Sequence, residues 1–313
     1  MKKTLSTLVC ALLIAVSVFI SVDTEKVTFG AGNGVNKKIE SVEEVSNLLQ
    51  SFLEKDYGAK LTSNDDKNDE TSKEKYTSAT IEFTTKAGVD ANYNIEGYGR
   101  IVQHVTMDRK MTCYFTENSA YYKTEAFIKS SSGEGDKEVT QMIKLNGEVF
   151  FCDVTYIRIN EFVTSSIDNM PDMSQTYGKW FELSREYTNQ LMDVNKMNYA
   201  IMAMIGEYVE DKDKFNKSGS VYNLKEQYFK ELFGDMSSTL GANINAYKNG
   251  LFKLDLTEKT KPKISLYYKE TNSNIMIAEY LDMKISNVNN TIAEFPKDVT
   301  IYSQEDFENY VNE

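Results

Sequence analysis

Three runs toward the end of the chain alternate apolar and polar residues with a period of two. Phe252, Leu254 and Leu256 fall on one side, and Lys253, Asp255 and Thr257 on the other. Ile264, Leu266 and Tyr268 likewise oppose Ser265, Tyr267 and Lys269, and Leu281, Met283 and Ile285 oppose Asp282, Lys284 and Ser286. Strict alternation suits a strand with one dry and one wet face, and such strands belong to antiparallel sheets. The breaks 258–262 and 270–274 are short enough for hairpins. Residues 249–299 therefore predict an antiparallel meander covering something apolar.

A second strand region precedes residue 162. Ala79, Ile81 and Phe83 alternate with Thr80 and Glu82, and Cys113 and Phe115 with Thr112, Tyr114 and Thr116. Gly97 and Gly99 share a parity with Ala91, Tyr93, Ile95 and Ile101, which predicts a sharp bend. A Ser-Ser-Ser-Gly-Glu-Gly run ending at Gly135 predicts a turn. Asn146-Gly147 after Val139, Ile143 and Leu145 is a hairpin signal, with a returning strand over 148–159. At least six strands precede Phe162 and at least three follow Asn249.

Between the two regions the period becomes helical. Tyr187, Leu191, Val194, Met197, Ile201, Ile205 and Tyr208 form one stripe, widened by Met192, Met202 and Met204. A shorter helix carries Leu224, Tyr228, Phe229, Leu232 and Phe233. Near the start, Val42, Val45, Leu48, Leu49, Phe52 and Leu53 predict a further helix, with Ser41 as its N-cap and Glu43 and Glu44 in its first turn. These helices must bury their apolar faces, and the apolar side of the sheet is the surface on offer. Residues 62–75 hold no apolar side chain and predict a solvated loop. Asp65, Asp66, Asp69 and Glu70 lack the glycine bend and the closing acid of a calcium loop.

The N-terminus changes the picture of where the chain works. Lys2 and Lys3 precede an uncharged run from Thr4 to Val22, which reads as a secretory signal peptide or, at that length, as an uncleaved N-terminal anchor. Cys10 follows Val9, where a lipoprotein cysteine needs a small residue, so lipidation there is rejected. Cleavage is expected near Gly30 to Gly32, or earlier near Ser21. The expected division is 1–32 for the signal peptide or anchor and 33–313 for a single domain. Either way the bulk of the chain is expected to be extracytoplasmic.

The chain has 313 residues, 41% of them hydrophobic and 12% aromatic, with a formal charge of −12. That is enough for a sizeable core, and without a basic patch it argues against nucleic acid and anionic membrane surfaces as partners. Membrane contact is expected only through the N-terminal segment. The single histidine, His104, sits on a predicted strand, and no Gly-x-Ser-x-Gly motif or phosphate-cradling glycine loop occurs. One histidine and two mature cysteines make a zinc site a poor reading. No enzyme, catalytic residue, metal or cofactor is therefore expected. Cys113 and Cys152 allow one disulfide in an exported chain or two buried thiols, and both remain open.

The order of elements resembles a known group of proteins. A signal, an N-terminal helix, bent antiparallel strands, the Gly-Lys-Trp-Phe step at 178–181, helices and a closing meander form the layout of the LolA-like and LppX/LprG-like superfamily of extracytoplasmic lipid carriers. Val221-Tyr222-Asn223-Leu224 opening a helix, and Ile285 to Pro296 as a closing strand before a proline, are similar to the same group. The resemblance covers about residues 40–300, and the lipobox cysteine is missing. It implies an α+β fold, a strongly curved antiparallel half-barrel, for which the alternation on both flanks of the helical insert predicts about eight to eleven strands. Helices, among them one from Ser184 to about Glu210, would pack in its concave face around an apolar cavity. The function it implies is a non-enzymatic binding protein that holds a lipid, acyl chain or other apolar ligand between sheet and helices. The expected walls are Met197, Ile201, Met202 and Ile205 on the helix, with Phe115 and Leu266 on facing strands. The alternative is a cell-surface structural or interaction protein whose interior is filled by side chains.

Overall fold

The computed structural model describes residues 28–53, 76–95, 99–134, 137–165, 172–184, 187–188, 205–229, 231, 249–271 and 275–312. The fold is mostly β. The strands β2 (Ala79–Ile95), β3 (Gly99–Phe115), β4 (Ala120–Glu134), β5 (Lys137–Phe151) and β6 (Thr155–Ser165) follow one another as antiparallel neighbours. The meander β10 (Asn249–Asp255), β11 (Lys263–Thr271) and β12 (Ile275–Ser286) joins them through β12 beside β2. Short strands extend both edges. β7 (Trp180–Leu183) and β14 (Ile301–Tyr302) lie beyond β6, and β8 (Phe215–Ser218) and β9 (Val221–Leu224) lie beyond β10. Among the described residues the result is one sheet of 12 strands, in which only the β14–β7 pair is parallel. A separate two-stranded sheet pairs β1 (Thr28–Ala31) with β13 (Thr291–Glu294).

The alternation in the meander translates directly into burial. Phe252, Leu254, Leu256, Ile264, Leu266, Leu281, Met283 and Ile285 all enter one core cluster. Register carries that face across the sheet, so that Leu254, Ile264, Met283, Phe83 and Met111 stand side by side. Onto it pack helix α1 (Val42–Leu53), through Val42, Val45, Leu48, Leu49 and Phe52, and helical residues 205–210, through Ile205, Tyr208 and Val209. Helix α2 (Gln304–Asn312) adds Phe307 and Val311. Ser41 caps α1 as expected, its Oγ accepting from Glu44 N at 3.2 Å, while Glu44 Oε2 accepts from Glu40 N at 2.5 Å. This reciprocal pairing satisfies two backbone donors at the helix start.

Several local expectations are corrected. Asn146-Gly147 makes no hairpin. It lies inside β5, and the irregularity is absorbed by a register shift against β6, where Asn146 opposes Glu161 and Gly147 opposes Ile159. The extra residue of this bulge is Asn160 on β6, while Asn146 and Gly147 stay in regular pairing with β4, so strand neighbours on both sides override the turn preference of the dipeptide. Ser130 to Glu134 continue β4 instead of turning. Val221 to Leu224 form strand β9, and the described helical residues after it begin only at 226. The sheet has 12 strands against the expected eight to eleven because the short edge strands β7, β8, β9 and β14 carry too few residues to show a period.

The face of the sheet opposite the core is also partly covered. After β12 the chain reverses through Asn287 and Asn289, both with positive φ (52° and 58°), a conformation asparagine tolerates better than most residues. β13 and the residues after it then lie over this second face. Thr291 N donates to Ser78 Oγ at 3.0 Å and Ser119 Oγ donates to Ala293 O at 3.1 Å. A small second core forms there from Tyr121, Phe150, Trp180 and Ala293, with Phe295 packed against it.

Candidate functional site

The apolar face has two zones. At the α1 end it is filled. Phe115 is 1% exposed, stacked on Phe52 at 5.1 Å and edge-on to Tyr122 at 5.8 Å. Leu266 and Ile205 are 1% and 0% exposed, and all three belong to the same cluster. Three of the six expected wall residues are thus buried in one core cluster, but not side by side: register sets Leu266 on the row of Thr85 and Arg109, six strand positions (79 to 85) from Phe115. Met197, Ile201 and Met202 lie outside the described residues, as does most of the stripe 187–204. Gly206 is a contributor that the stripe did not single out. The position a Cβ would take there is 3.8 Å from Leu49 Cβ, so the residue seats the 205–210 turn close against α1.

Farther along the strands the same face is less covered. The register row Thr85, Arg109, Ala126, Leu145 marks the border, and Arg109 Nη2 lies 3.3 Å from Met111 Sδ. The next row, Ala87, Met107, Ile128 and Ile143, is half-buried throughout. Cys113 is in the filled zone, where burial pushes its thiol up from the ordinary range. Cys152 packs against the second core. Both cysteines are free, so of the two readings left open the structure has the thiols.

The opposite, polar face carries a hollow of about 540 Å³. Its charged side chains meet in cross-strand pairs: Lys86 Nζ with Asp108 Oδ1 at 3.4 Å, Lys110 Nζ with Glu125 Oε2 at 3.5 Å, and Lys144 Nζ with Glu161 Oε2 at 2.7 Å. Phe127 also lines it and is 39% exposed. Nearer the second core, Arg158 pairs with Glu148 and lies over the Trp180 ring at 4.8 Å. Burial, and then the Glu148 charge, push the Tyr121 phenol well above its usual range.

His104 Nδ1 is paired with Asp90 on the exposed surface. Among the described residues no group of three or more His, Cys, Asp or Glu side chains could hold a metal ion, and no helix is long and apolar enough to cross a membrane.

No protein-family profile matches the sequence, and no curated protein matches it. Among solved structures, the crystal structure of Ail, the attachment invasion locus protein of Yersinia pestis, is 6% identical. That match covers 67% of this chain and 97% of Ail at a TM-score of 0.13. A TM-score that low carries no argument about fold or function.

Proposed function

We propose that the chain is an extracytoplasmic, non-enzymatic binding protein. On this reading it is a curved half-barrel, with helices packed in its concave face, that holds a lipid or other apolar ligand between sheet and helices. The observation that carries the reading is the gradient along the apolar face. It runs from the filled zone at Phe115, through the border row that Leu266 shares with Thr85 and Arg109, to the half-buried row Ala87, Met107, Ile128 and Ile143. Beyond Thr85 and Arg109 the face is apolar again at these four residues while its cover thins, which leaves surface for a ligand, and methionine and branched side chains suit acyl chains of varied shape. The ligand wall thus moves outward from Phe115, Leu266 and Ile205, while Met197, Ile201 and Met202 remain its proposed helix side. The basic and then apolar N-terminus supports export.

Native mass spectrometry of the secreted protein, with uptake of a fluorescent fatty acid, tests this. Bound lipid mass and uptake weakened by Ile128→Trp are expected. A wild type with neither adduct nor uptake overturns the carrier. The near-complete burial of Phe115, Leu266 and Ile205 favours one second reading, a cell-surface interaction protein with a filled interior.

A further inference from the structure

Seven large apolar side chains among the described residues are exposed, and four of them fall on a single row of the polar face. Following register from β10 to β6, Leu251, Tyr280, Phe127 and Val163 occupy that row at 43%, 36%, 39% and 50% exposure. Isolated exposed apolar residues need no explanation. Alignment of four across the wet face of one sheet does. The row crosses eight strands, or roughly 34 Å at about 4.8 Å per strand step. Lys86 and Asp108 stand between Tyr280 and Phe127, and Lys144 stands between Phe127 and Val163. The hollow described above opens along this row at Phe127.

The charges narrow the occupant. Each lysine of the hollow faces a carboxylate within 3.5 Å, so the surface offers no excess of one sign to a strongly charged polymer. Solvated pairs of this kind are worth little to folding, so they can turn their donors and acceptors toward a ligand at small cost. Aromatic rings present flat apolar faces, and flanking ammonium and carboxylate groups give and accept hydrogen bonds. A chain of pyranose rings has the matching chemistry: C–H faces for the rings, hydroxyls for the ion pairs, and a repeat comparable with the spacing of strands.

We propose that this row binds a neutral polysaccharide laid across the strands, with Phe127 and Tyr280 as stacking platforms. The site lies on the other face of the sheet from the apolar ligand and does not depend on it. Affinity electrophoresis of the full chain in gels containing glucomannan, xyloglucan, hydroxyethylcellulose or soluble α-glucan tests the site, with polygalacturonate as the charged comparison. At least one neutral polymer should retard the protein. Phe127→Ala and Tyr280→Ala should each weaken that binding about tenfold, leaving the thermal midpoint and fatty-acid uptake unchanged. Ile301→Ala, exposed elsewhere on the sheet, should bind like the wild type. The proposal is overturned by no retardation in any neutral gel, by retardation in polygalacturonate alone, or by an undiminished Phe127→Ala variant. Self-association abolished by Phe127→Ala, seen in sedimentation, would give the row to a second copy of the chain and overturn it too.

Discussion

Arg158 Nη2 lies 2.7 and 2.9 Å from the two carboxylate oxygens of Glu148, across the β5–β6 pair and almost wholly buried. Asn160 Nδ2 donates to the same carboxylate at 3.2 Å. Breaking such a pair strands a buried charge, whereas replacing both partners removes the desolvation cost as well. Glu148→Gln and Arg158→Met should each cost about 3 kcal/mol or more. The double variant should lose less than either alone. Urea unfolding of the three variants decides it, and an additive double variant would deny the coupling.

Asp255 gives a pH dependence. Its Oδ1 accepts from Thr257 N at 3.0 Å, and the Thr257 contacts, followed by Lys253, hold its carboxyl down at about 2. A carboxyl lowered in the folded state adds stability above its unfolded value of about 3.9, lost as pH falls through the folded one. Asp255→Ala should therefore be less stable than the wild type at pH 7, with the gap closing between about pH 4 and pH 2. A gap of constant size across that range would refute the assignment.

The two thiols should react differently. Cys113 is 1% exposed, and burial raises both thiols, Cys113 the more strongly. Since the thiolate is the reactive form, a disulfide-exchange reagent at pH 8 should modify Cys152 slowly in the native protein. Cys113 should react only after denaturation. Non-reducing mass analysis should show no mass loss for a disulfide.

Tryptophan scanning separates the carrier from the filled interior. Ile205 is fully buried, so Ile205→Trp should overpack the core and cost about 1–3 kcal/mol or more. Ile128 is only half-buried, and Ile128→Trp should leave the thermal midpoint nearly unchanged while lowering fatty-acid uptake. Equal destabilisation at both sites would favour the filled interior.

Strand β1 constrains processing. Thr28 to Ala31 pair with Glu294 to Thr291, and Gly32 N donates to Asn290 O at 2.6 Å. If export trims the chain, a product that keeps this pairing starts at or before Thr28, which excludes cleavage at Gly30 to Gly32. N-terminal sequencing of the secreted protein should find the first residue at or before Thr28. A start at Gly32 or later would show that the β1–β13 pair is dispensable.

By itself the sequence determined the meander, the helix α1 with its Ser41 cap, and which side of β2, β3, β10, β11 and β12 is dry. Those features are local, because side chains alternate at every residue of a strand and recur every third or fourth residue of a helix. Phe252, Leu254, Ile264 and Met283 went into the core that their parity specified. The strand status of Asn146 and Gly147, and the edge strands β7, β8, β9 and β14, were decided only by tertiary pairing. Short runs and permissive dipeptides have no preference of their own strong enough to outvote their neighbours. The row through Leu251, Tyr280, Phe127 and Val163 was equally invisible. Its members lie up to 153 positions apart in the chain, and only the strand register, set by burying the opposite face, aligns them.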